Sequence, residues 1–336
     1  MRLSTPRWWY VRRGAPMPVT RGLLRPASWI WAWETARRIA AARPFDPGVP
    51  VICVGNLTMG GSGKTPVVRA LAQRLVAQGH RAQILARGYG GRLKGPVQVD
   101  AASHTAADVG DEALMLAKGA TVWVARHRAA GARAAAQAGA ELIVMDDGHQ
   151  NPGLTKALSL VVVDGETRDG EWPFGDGAAF PAGPMREPLA AGLARADAVV
   201  LMLPADVAAP DPALCAALSP TPILIARLIP ASPPPGAPQL AFAGIGKPWK
   251  MERALKAAGC DLVDFAPLPD HAQYDERLLR FLAHRAEALG AGLITSEKDW
   301  VKLPPAWQGR VAAWRVEARF DDEAALDRLL AGVVLR

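Results

Sequence analysis

The segment that most constrains the fold is glycine-rich and runs from Gly55 to Pro66, with the sequence Gly-Asn-Leu-Thr-Met-Gly-Gly-Ser-Gly-Lys-Thr-Pro. An apolar run over 49–55, typical of a buried strand, precedes it, and a stretch with helical character over 64–78 follows it. Glycines let the backbone curl so that successive N–H groups point at an anion, and a helix N-terminus adds partial positive charge. This order of elements predicts a phosphate-binding loop in an α/β fold.

The residues of this loop predict a site for a nucleoside triphosphate and magnesium. Lys64 would reach the β- and γ-phosphates, and the Thr65 hydroxyl would ligate Mg²⁺. Thr58 stands where the strict motif has glycine, and three later glycines compensate. The alternative, a glycine-rich turn without a ligand, is disfavoured by the flanking strand and helix. The predicted nucleotide-binding residues are Thr58, Met59, Gly60, Gly61, Ser62, Gly63, Lys64 and Thr65.

Strands that alternate with helices predict the remainder of the fold. The apolar runs are nearly continuous, which is typical of a parallel sheet covered on both faces. Strands are predicted at 49–55, 82–86, 121–125, 141–145, 158–163 and 196–203, with helices at 64–78, 109–118 and 126–138. The proline-rich segment 204–238 predicts a domain boundary or connecting ribbon. A second α/β unit follows, with strands at 239–243, 292–295 and 311–316 and helices at 247–258, 275–289 and 321–334.

The predicted fold class is therefore α/β: a P-loop NTPase-type parallel sheet with helices on both faces, plus a smaller C-terminal α/β domain. A length of 336 residues suits two domains. We expect an N-terminal arm over 1–43, a nucleotide-binding domain over 44–225 and a smaller domain over 226–336 that closes over the site.

Three acids and one histidine are candidates for metal binding and proton transfer. Asp146 and Asp147 end an apolar strand, which is the arrangement of a Walker B carboxylate, although a strand-end turn is the alternative. Neighbouring residues point to opposite sides of a strand, so one of the two would face the metal directly. Asp111 opens a helix and would act either as a base or in helix capping. His271 lies in a segment before another helix, where capping is again an alternative.

Two further loops have the composition of substrate contacts. Residues 86–92, which include Tyr89, follow the second strand, at the edge where open parallel sheets bind ligands. The stretch 173–188 is long and rich in proline and glycine, and loops of that length are usually functional or disordered. Arg186 within it is suited to a second anionic group. A rigid surface loop is the alternative for both.

The basic excess of the chain is confined to its N-terminal arm. Residues 1–43 contain nine arginines and one acid, a formal charge of +8, whereas the remainder has 30 basic and 31 acidic residues. The arm also has five of the eleven tryptophans, and a helix predicted over 28–42, with Ser28 as its N-cap, places Trp29 and Trp33 on one apolar face. Tryptophan prefers the headgroup region and arginine is attracted to anionic lipid, so we expect an anionic membrane surface as partner. A nucleic-acid-binding arm would explain the charge but not the tryptophans.

Composition excludes several other classes of protein. Half of the residues are hydrophobic, which is incompatible with a wholly disordered chain. No stretch approaches the roughly 18 apolar residues of a spanning helix, and the first residues show no secretory signal. The three cysteines are far apart and have no metal-ligand spacing, so we expect a reducing cytosol.

Taken together, these segments resemble the tetraacyldisaccharide 4′-kinase family, the lipid A 4′-kinases. Eight pieces occur in family order over about residues 50–300: 54–66, 87–91, 109–112, 146–150, 181–188, 242–248, 269–271 and 295–299. The family accepts threonine at the position of Thr58. Two departures are Ala272, where the family often has a second histidine, and Ala113, where it often has proline.

The resemblance implies transfer of the ATP γ-phosphate to the 4′-hydroxyl of a tetraacylated glucosamine disaccharide 1-phosphate. It implies ATP and Mg²⁺ as cofactors, an acylated disaccharide lipid as substrate, and a peripheral position at the cytoplasmic face of the bacterial inner membrane. We expect a monomer that binds no nucleic acid.

The resemblance also assigns roles to residues of this chain. Asp111 would be the base, oriented by His271, with Lys64 on the phosphates. Thr65, Asp146 and Asp147 would hold the metal, and Asp147 is the alternative base. Tyr89, Arg186 and Glu187 would contact the sugar and its 1-phosphate.

Two other functions would also use a phosphate-binding loop. A P-loop GTPase or metallochaperone-like NTPase is the first, but its guanine-reading Asn-Lys-x-Asp motif is missing, since 296–299 reads Ser-Glu-Lys-Asp. A membrane-bound nucleotide sensor without catalytic activity is the second, and it would bind ATP without phosphorylating a lipid.

Overall fold

The computed structural model describes residues 6–11, 17–166, 171–270 and 272–334. Its strands are β1 Val51–Gly55, β2 Ala82–Ala86, β3 Val97–Gln98, β4 Val122–Val124, β5 Leu142–Asp146, β6 Leu158–Asp164, β7 Ala198–Pro204, β8 Ile223–Pro230, β9 Gln239–Ala243, β10 Leu262–Pro267, β11 Gly292–Ser296, β12 Val311–Trp314 and β13 Val316–Phe320. Its α-helices are α1 Pro18–Ala40, α2 Lys64–Ala77, α3 Ala106–Val109, α4 Asp111–Ala117, α5 Arg128–Gln137, α6 Leu189–Leu193, α7 Pro212–Leu218, α8 Pro248–Ala257, α9 Glu276–Ala288, α10 Glu297–Trp300, α11 Pro305–Gln308 and α12 Glu323–Val334.

Within the described residues, two sheets organise the chain. Nine strands form one sheet in the order β13-β8-β7-β6-β1-β5-β2-β4-β3, and only its edge strands β13 and β3 run antiparallel to their neighbours. The other sheet has four parallel strands in the order β10-β9-β11-β12. We call these sheets, with the helices packed on them, the large lobe and the small lobe. The predicted α/β class with a mainly parallel sheet is confirmed.

Buried apolar side chains cover both faces of each sheet. The strands β1, β5, β6 and β7 are almost fully buried, which explains their unbroken apolar sequences. On one face of the large sheet, α2 contributes Val67, Val68 and Leu71 to the core. In the small lobe, Phe242 is fully buried against Tyr274 of the segment before α9.

The boundary between the two lobes differs from the predicted domain boundary, which lay between residues 225 and 226. That position lies inside β8, and the proline-rich segment contains α7 as well as this strand. The predicted strand 311–316 is divided at Arg315: β12 belongs to the small sheet, whereas β13 returns to the edge of the large one. The small lobe therefore occupies about 239–314 as an insertion within the large lobe. The physical reason is α12, whose apolar face packs into the large lobe's core.

We expect Leu330→Ala on α12 to lower the free energy of unfolding of the whole protein by about 2–5 kcal/mol, because the side chain is fully buried in the large lobe. Arg328→Ala, at an exposed position on the same helix, is the control and should change stability by about 0.5 kcal/mol or less. The measurement is chemical denaturation. An equally small effect of both substitutions would contradict the assignment of α12 to this core.

Helix α1 is longer than predicted and begins ten residues earlier. Ser28 is not its N-cap but lies in its middle, where the hydroxyl donates to the Leu24 carbonyl and accepts from the Ala182 amide at 3.0 Å. Arg21, Ser28 and Thr35 are buried and recur every seven residues, so one face of α1 packs on the large lobe. Within the described ranges, no helix has the length and hydropathy needed to cross a membrane.

Candidate active site

The sheet topology brings sequence-distant loops to one cleft. The chain passes from β1 to β2 and later returns with β5 and β6 on either side of β1, so the ends of these parallel strands share one edge. Ligands of open α/β sheets bind outside this edge, where the strand order reverses. A cleft of about 1620 Å³ lies there. The carboxyl ends of the small lobe's β9 and β11 and one flank of α1 also line it.

The loop between β1 and α2 has the geometry of a phosphate-binding loop. Gly63, the residue before α2, has φ +85°, a left-handed conformation that glycine adopts without strain. The buried Asn56 amide donates to the Thr58 carbonyl at 2.8 Å and lies 3.1 Å from the Ser62 hydroxyl. The loop is also held from outside, since the Met59 amide donates to the Pro184 carbonyl at 2.7 Å. The predicted loop residues 59–65 line the cleft.

Lys64 and Asp147 meet at the centre of the site. The Lys64 Nζ lies 3.6 Å from Asp147 Oδ1, and the Arg186 guanidinium donates to the same oxygen at 2.7 Å. Burial would raise the pKa of Asp147, but Lys64 and Arg186 outweigh it and hold that pKa well below its usual range. Asp147 is therefore a stable carboxylate with two cations beside it, and a poor proton acceptor.

Asp146 has the environment of a metal ligand. It is buried at the end of β5 beside β1, and its Oδ1 has no hydrogen-bond partner among the described residues. Burial, followed by the charge of Glu112, raises the pKa of Asp146. No three His, Cys, Asp or Glu side chains gather around a possible metal position in the described part of the chain. A P-loop Mg²⁺ takes most of its ligands from phosphate and water, so a carboxylate with an unsatisfied oxygen in the same cleft as Thr65 fits that ion.

Asp111 lies at the start of α4, and its neighbour Glu112 forms part of the cleft wall. Asp111 is buried, and its Oδ1 accepts from the Glu112 amide at 2.9 Å. Lys298 of the small lobe donates to Glu112 Oε1 at 2.9 Å. Burial would lower the pKa of Lys298, but Glu112 and Asp111 outweigh it and raise that pKa. Sequence reasoning did not assign Glu112 or Lys298, although both lie within pieces of the family pattern.

Arg186 and Glu187 have separate surroundings. The Arg186 Nε donates to the Thr58 carbonyl at 3.1 Å, so this side chain bridges the loop and Asp147. Glu187 is buried rather than on the cleft wall, and it accepts from Arg195 at 2.6 Å and from Gln150 at 2.9 Å. These bonds give Glu187 a part in holding the loop, and its contact with substrate stays a prediction.

Tyr89 and His271 complete the predicted set. Tyr89 is largely exposed and lines the cleft on the loop after β2. His271 lies outside the described residues. Its neighbour Asp270 also lines the cleft. The structure thus brings Lys64, Thr65, Asp146, Asp147, Tyr89 and Arg186 to one cavity.

The histidine in segment 146–150 packs in the protein interior and does not face the cleft. His149 is buried, with Nδ1 at 3.0 Å from the Ser159 hydroxyl and Nε2 at 2.9 Å from the Gly192 carbonyl. Burial lowers its pKa to about 4, so the ring is neutral near pH 7. A Cβ on Gly55 would lie 2.4 Å from the His149 Cβ, so glycine is required there by close packing.

The small lobe contacts the large lobe with a row of cations at the start of α8. Lys247 donates to Asp164 at the end of β6 at 2.9 Å, and Lys250 pairs with the same carboxylate. Burial would raise the pKa of Asp164, but the two lysines outweigh it and lower that pKa. Residues 244–247 form the turn between β9 and α8, and a Cβ on Gly246 would lie 3.7 Å from the Gly61 amide nitrogen. The corner therefore lies directly against the phosphate-binding loop.

Helix α1 forms the third wall of the cleft. Trp31, Thr35 and Arg38 line it, at the i, i+4 and i+7 spacing of one helix face. The Trp31 Nε1 donates to the Arg186 carbonyl at 2.9 Å, which joins the helix to the loop at 181–188. The outward side of α1 exposes large apolar residues, namely Val19, Leu23, Trp29, Ile30 and Trp33.

Comparison with known proteins gives consistent matches over nearly the whole chain. Residues 20–334 match the model of the family described as tetraacyldisaccharide-1-P 4′-kinase. A tetraacyldisaccharide 4′-kinase of Phenylobacterium zucineum is 68% identical over 333 residues, which cover 99% of this chain and 100% of the relative. One from Caulobacter vibrioides is 64% identical and covers both chains completely.

The fold also matches a solved structure. A crystal structure of LpxK from Aquifex aeolicus in complex with ATP superposes with a TM-score of 0.74 at 26% sequence identity. The match covers 94% of this chain and 99% of the other.

Proposed function

Because the chain belongs to the tetraacyldisaccharide-1-P 4′-kinase family, it is an ATP-dependent kinase that phosphorylates the 4′-hydroxyl of the lipid A disaccharide precursor, and we propose which residues perform each part of this transfer. The observation that carries the assignment is the convergence of Lys64, Asp146 and Asp147 beside a phosphate-binding loop. The alternative of a P-loop GTPase or metallochaperone is not favoured.

The phosphate-binding loop holds the triphosphate of ATP. The backbone amides from Gly60 to Gly63 and the N-terminus of α2 would bind the anion, and Lys64 would neutralise charge on the β- and γ-phosphates. Asp147 is the counter-ion of Lys64. Arg186 keeps this carboxylate in place, so its role is to organise the loop rather than to bind a second anionic group.

Mg²⁺ fits the oxygen donors beside the loop. Thr65 and Asp146 would hold it, with Asp147 in its water shell, and the unpartnered Asp146 Oδ1 supports this choice. When bound, the ion neutralises charge that develops on the phosphate oxygens. Burial and the charge of Glu112 disfavour the anionic form of Asp146, and a bound cation would stabilise that form.

Asp111 is the proposed base for the 4′-hydroxyl. The competing candidate, Asp147, has its proton affinity lowered by Lys64 and Arg186. Asp111 is buried in the first turn of α4, and the ion pair between its neighbour Glu112 and Lys298 holds that turn. We propose that His271 orients or charge-tunes it, and that Tyr89 contacts the sugar at the cleft rim.

The test of this function is incubation of the purified protein with γ-labelled ATP, Mg²⁺ and the tetraacylated disaccharide 1-phosphate in detergent micelles. Label should appear on the lipid and depend on the acceptor. Labelled GTP provides the comparison that excludes the GTPase alternative, and ATP hydrolysis without labelled lipid would contradict the kinase assignment.

Helix α1 is proposed to attach the enzyme to the cytoplasmic face of the inner membrane. Val19, Leu23, Ile30 and Trp33 lie within about 80° of arc on a helix with 3.6 residues per turn, opposite the buried face. Exposed apolar residues in such a stripe, next to arginines, suit the boundary of an anionic bilayer. Because one chain supplies all three walls of the cleft, we propose that a monomer is sufficient for activity.

We expect the triple substitution Leu23→Gln, Ile30→Gln and Trp33→Gln to weaken binding to anionic vesicles at least tenfold, since each side chain is more than 60% exposed and would be buried only in lipid. Vesicle sedimentation gives the partition coefficient. Phe281→Gln on α9, which is also 61% exposed, is the control and should bind like the unmodified protein. Equal binding of the triple variant would refute attachment through α1.

A further inference from the structure

We propose that Arg38 binds the 1-phosphate of the acceptor lipid at the mouth of the cleft, and thereby determines selectivity for acceptors that have this group. This deepens the proposed function and rests on it. The acceptor's phosphate is a dianion that must find a cation once its sugar enters the cleft, and an arginine guanidinium matches phosphate geometry with two parallel N–H donors.

Arg186, which the sequence analysis assigned to that phosphate, already has hydrogen-bond partners. Its guanidinium donates to the Thr58 carbonyl and to Asp147, both of which belong to the nucleotide side of the cleft. A second anion there would have to displace Asp147 and would compete with the γ-phosphate for the same cations. The 1-phosphate and the reacting 4′-hydroxyl are on different sugar rings, at opposite ends of the disaccharide. The 1-phosphate therefore requires a cation other than Arg186.

Arg38 differs from its neighbours on α1 in having no competing partner. Arg21 forms an ion pair with Asp176, and Arg37 donates to both oxygens of Glu34. Arg38 lines the cleft and is exposed, and within the described ranges its side chain has neither a hydrogen bond nor an ion pair. Its charge is felt by Glu34, but both oxygens of that carboxylate are bonded to Arg37. Its guanidinium is thus available to an anionic ligand.

The angular position of Arg38 on the helix places it at headgroup depth. At about 100° per residue, Trp31 and Arg38 lie on a flank between the buried Thr35 face and the exposed stripe that contains Ile30. If the stripe enters the bilayer, this flank lies level with the interface. Acyl chains that remain in the leaflet would then keep the sugar phosphate next to Arg38, while the distal sugar reaches the phosphate-binding loop.

The test compares two acceptors in nonionic micelles: the disaccharide 1-phosphate and the same lipid with a free 1-hydroxyl. We expect Arg38→Ala to lower kcat/KM for the phosphorylated acceptor about tenfold or more, chiefly through KM, and to leave the 1-hydroxyl acceptor nearly unaffected. Arg38→Lys should retain part of the preference. Arg37→Ala, on the outward side of the same helix, should behave like the unmodified protein on both acceptors.

Three outcomes would overturn the assignment. Equal losses on both acceptors would show that Arg38 acts through folding or general catalysis, and thermal unfolding of the variant would separate these. No loss on either acceptor would show that another cation binds the phosphate. Weaker binding of Arg38→Ala to anionic vesicles without acceptor would assign the residue to membrane phospholipid. In each case labelled lipid would still form from ATP, so a failure here is distinct from a failure of the kinase function.

Discussion

Lys64→Ala should reduce kcat/KM for phosphoryl transfer by about 10³-fold, the largest effect expected of any single substitution. Catalysis of phosphoryl transfer consists mainly of positioning and charge stabilisation, and a preorganised donor at the transferring group is worth about 10²–10³-fold. Lys64 is only 12% exposed and lies beside Asp147, so its ammonium group is held at a fixed position in the site. Its removal also leaves Asp147 with Arg186 as its cation, which turns the carboxylate into a repulsive neighbour of the γ-phosphate.

The measurement is steady-state transfer of labelled phosphate, with thermal unfolding to show that the variant is folded. Lys256→Ala is the matched control, because this lysine lies on α8 and pairs with Glu252 in solvent. Turnover of Lys64→Ala within a few-fold of the unmodified enzyme would contradict the assignment of the phosphate-binding loop.

Asp111→Asn should lower kcat by about 10²-fold or more and leave the KM for ATP nearly unchanged, as expected for a general base that acts on the acceptor hydroxyl. The substitution keeps the size of the side chain and an oxygen that can accept from the Glu112 amide, so the start of α4 should be preserved. A structural role alone would therefore be largely retained in the variant.

Asp147→Asn is the informative comparison. Because Asp147 is bound to Lys64 and Arg186, we expect its loss to weaken ATP binding together with turnover. If Asp111→Asn instead abolishes ATP affinity, or if Asp147→Asn affects kcat alone, the two carboxylates have exchanged roles. Asp108→Asn, in the capping box of α3, serves as the control for simple helix capping.

Local patterns were sufficient to predict the elements that build the nucleotide site. The strand, loop and helix around Gly63 are short-range features, and the apolar strand before Asp146 shows its burial directly in its sequence. Since parallel strands share one carboxyl edge, the alternation of strands and helices also predicts that these loops converge. Local patterns do not predict the return of β13 to β8, because this pairing joins residues 86 to 94 positions apart in the sequence.

The sequence also did not predict which side chains contact each other. Arg186 and Glu187 are adjacent in a loop that resembles a substrate contact, yet one lines the cleft and the other is buried against Arg195. Only the three-dimensional packing of the loop decides which neighbour faces inward. The position of Lys298 in the site could not be predicted for the same reason, because its partner Glu112 is 186 residues away in the sequence.

The return of the chain to the large sheet has a practical consequence for dissecting the molecule. A fragment that stops at residue 225 would truncate β8, remove β13 from the sheet's edge and uncover the surface of α2 beneath α12. An unpaired edge of this kind invites intermolecular strand addition and aggregation. The large lobe is therefore better isolated by excising 239–314 and joining the ends with a flexible tether, which preserves the protective outer strand and the terminal helix.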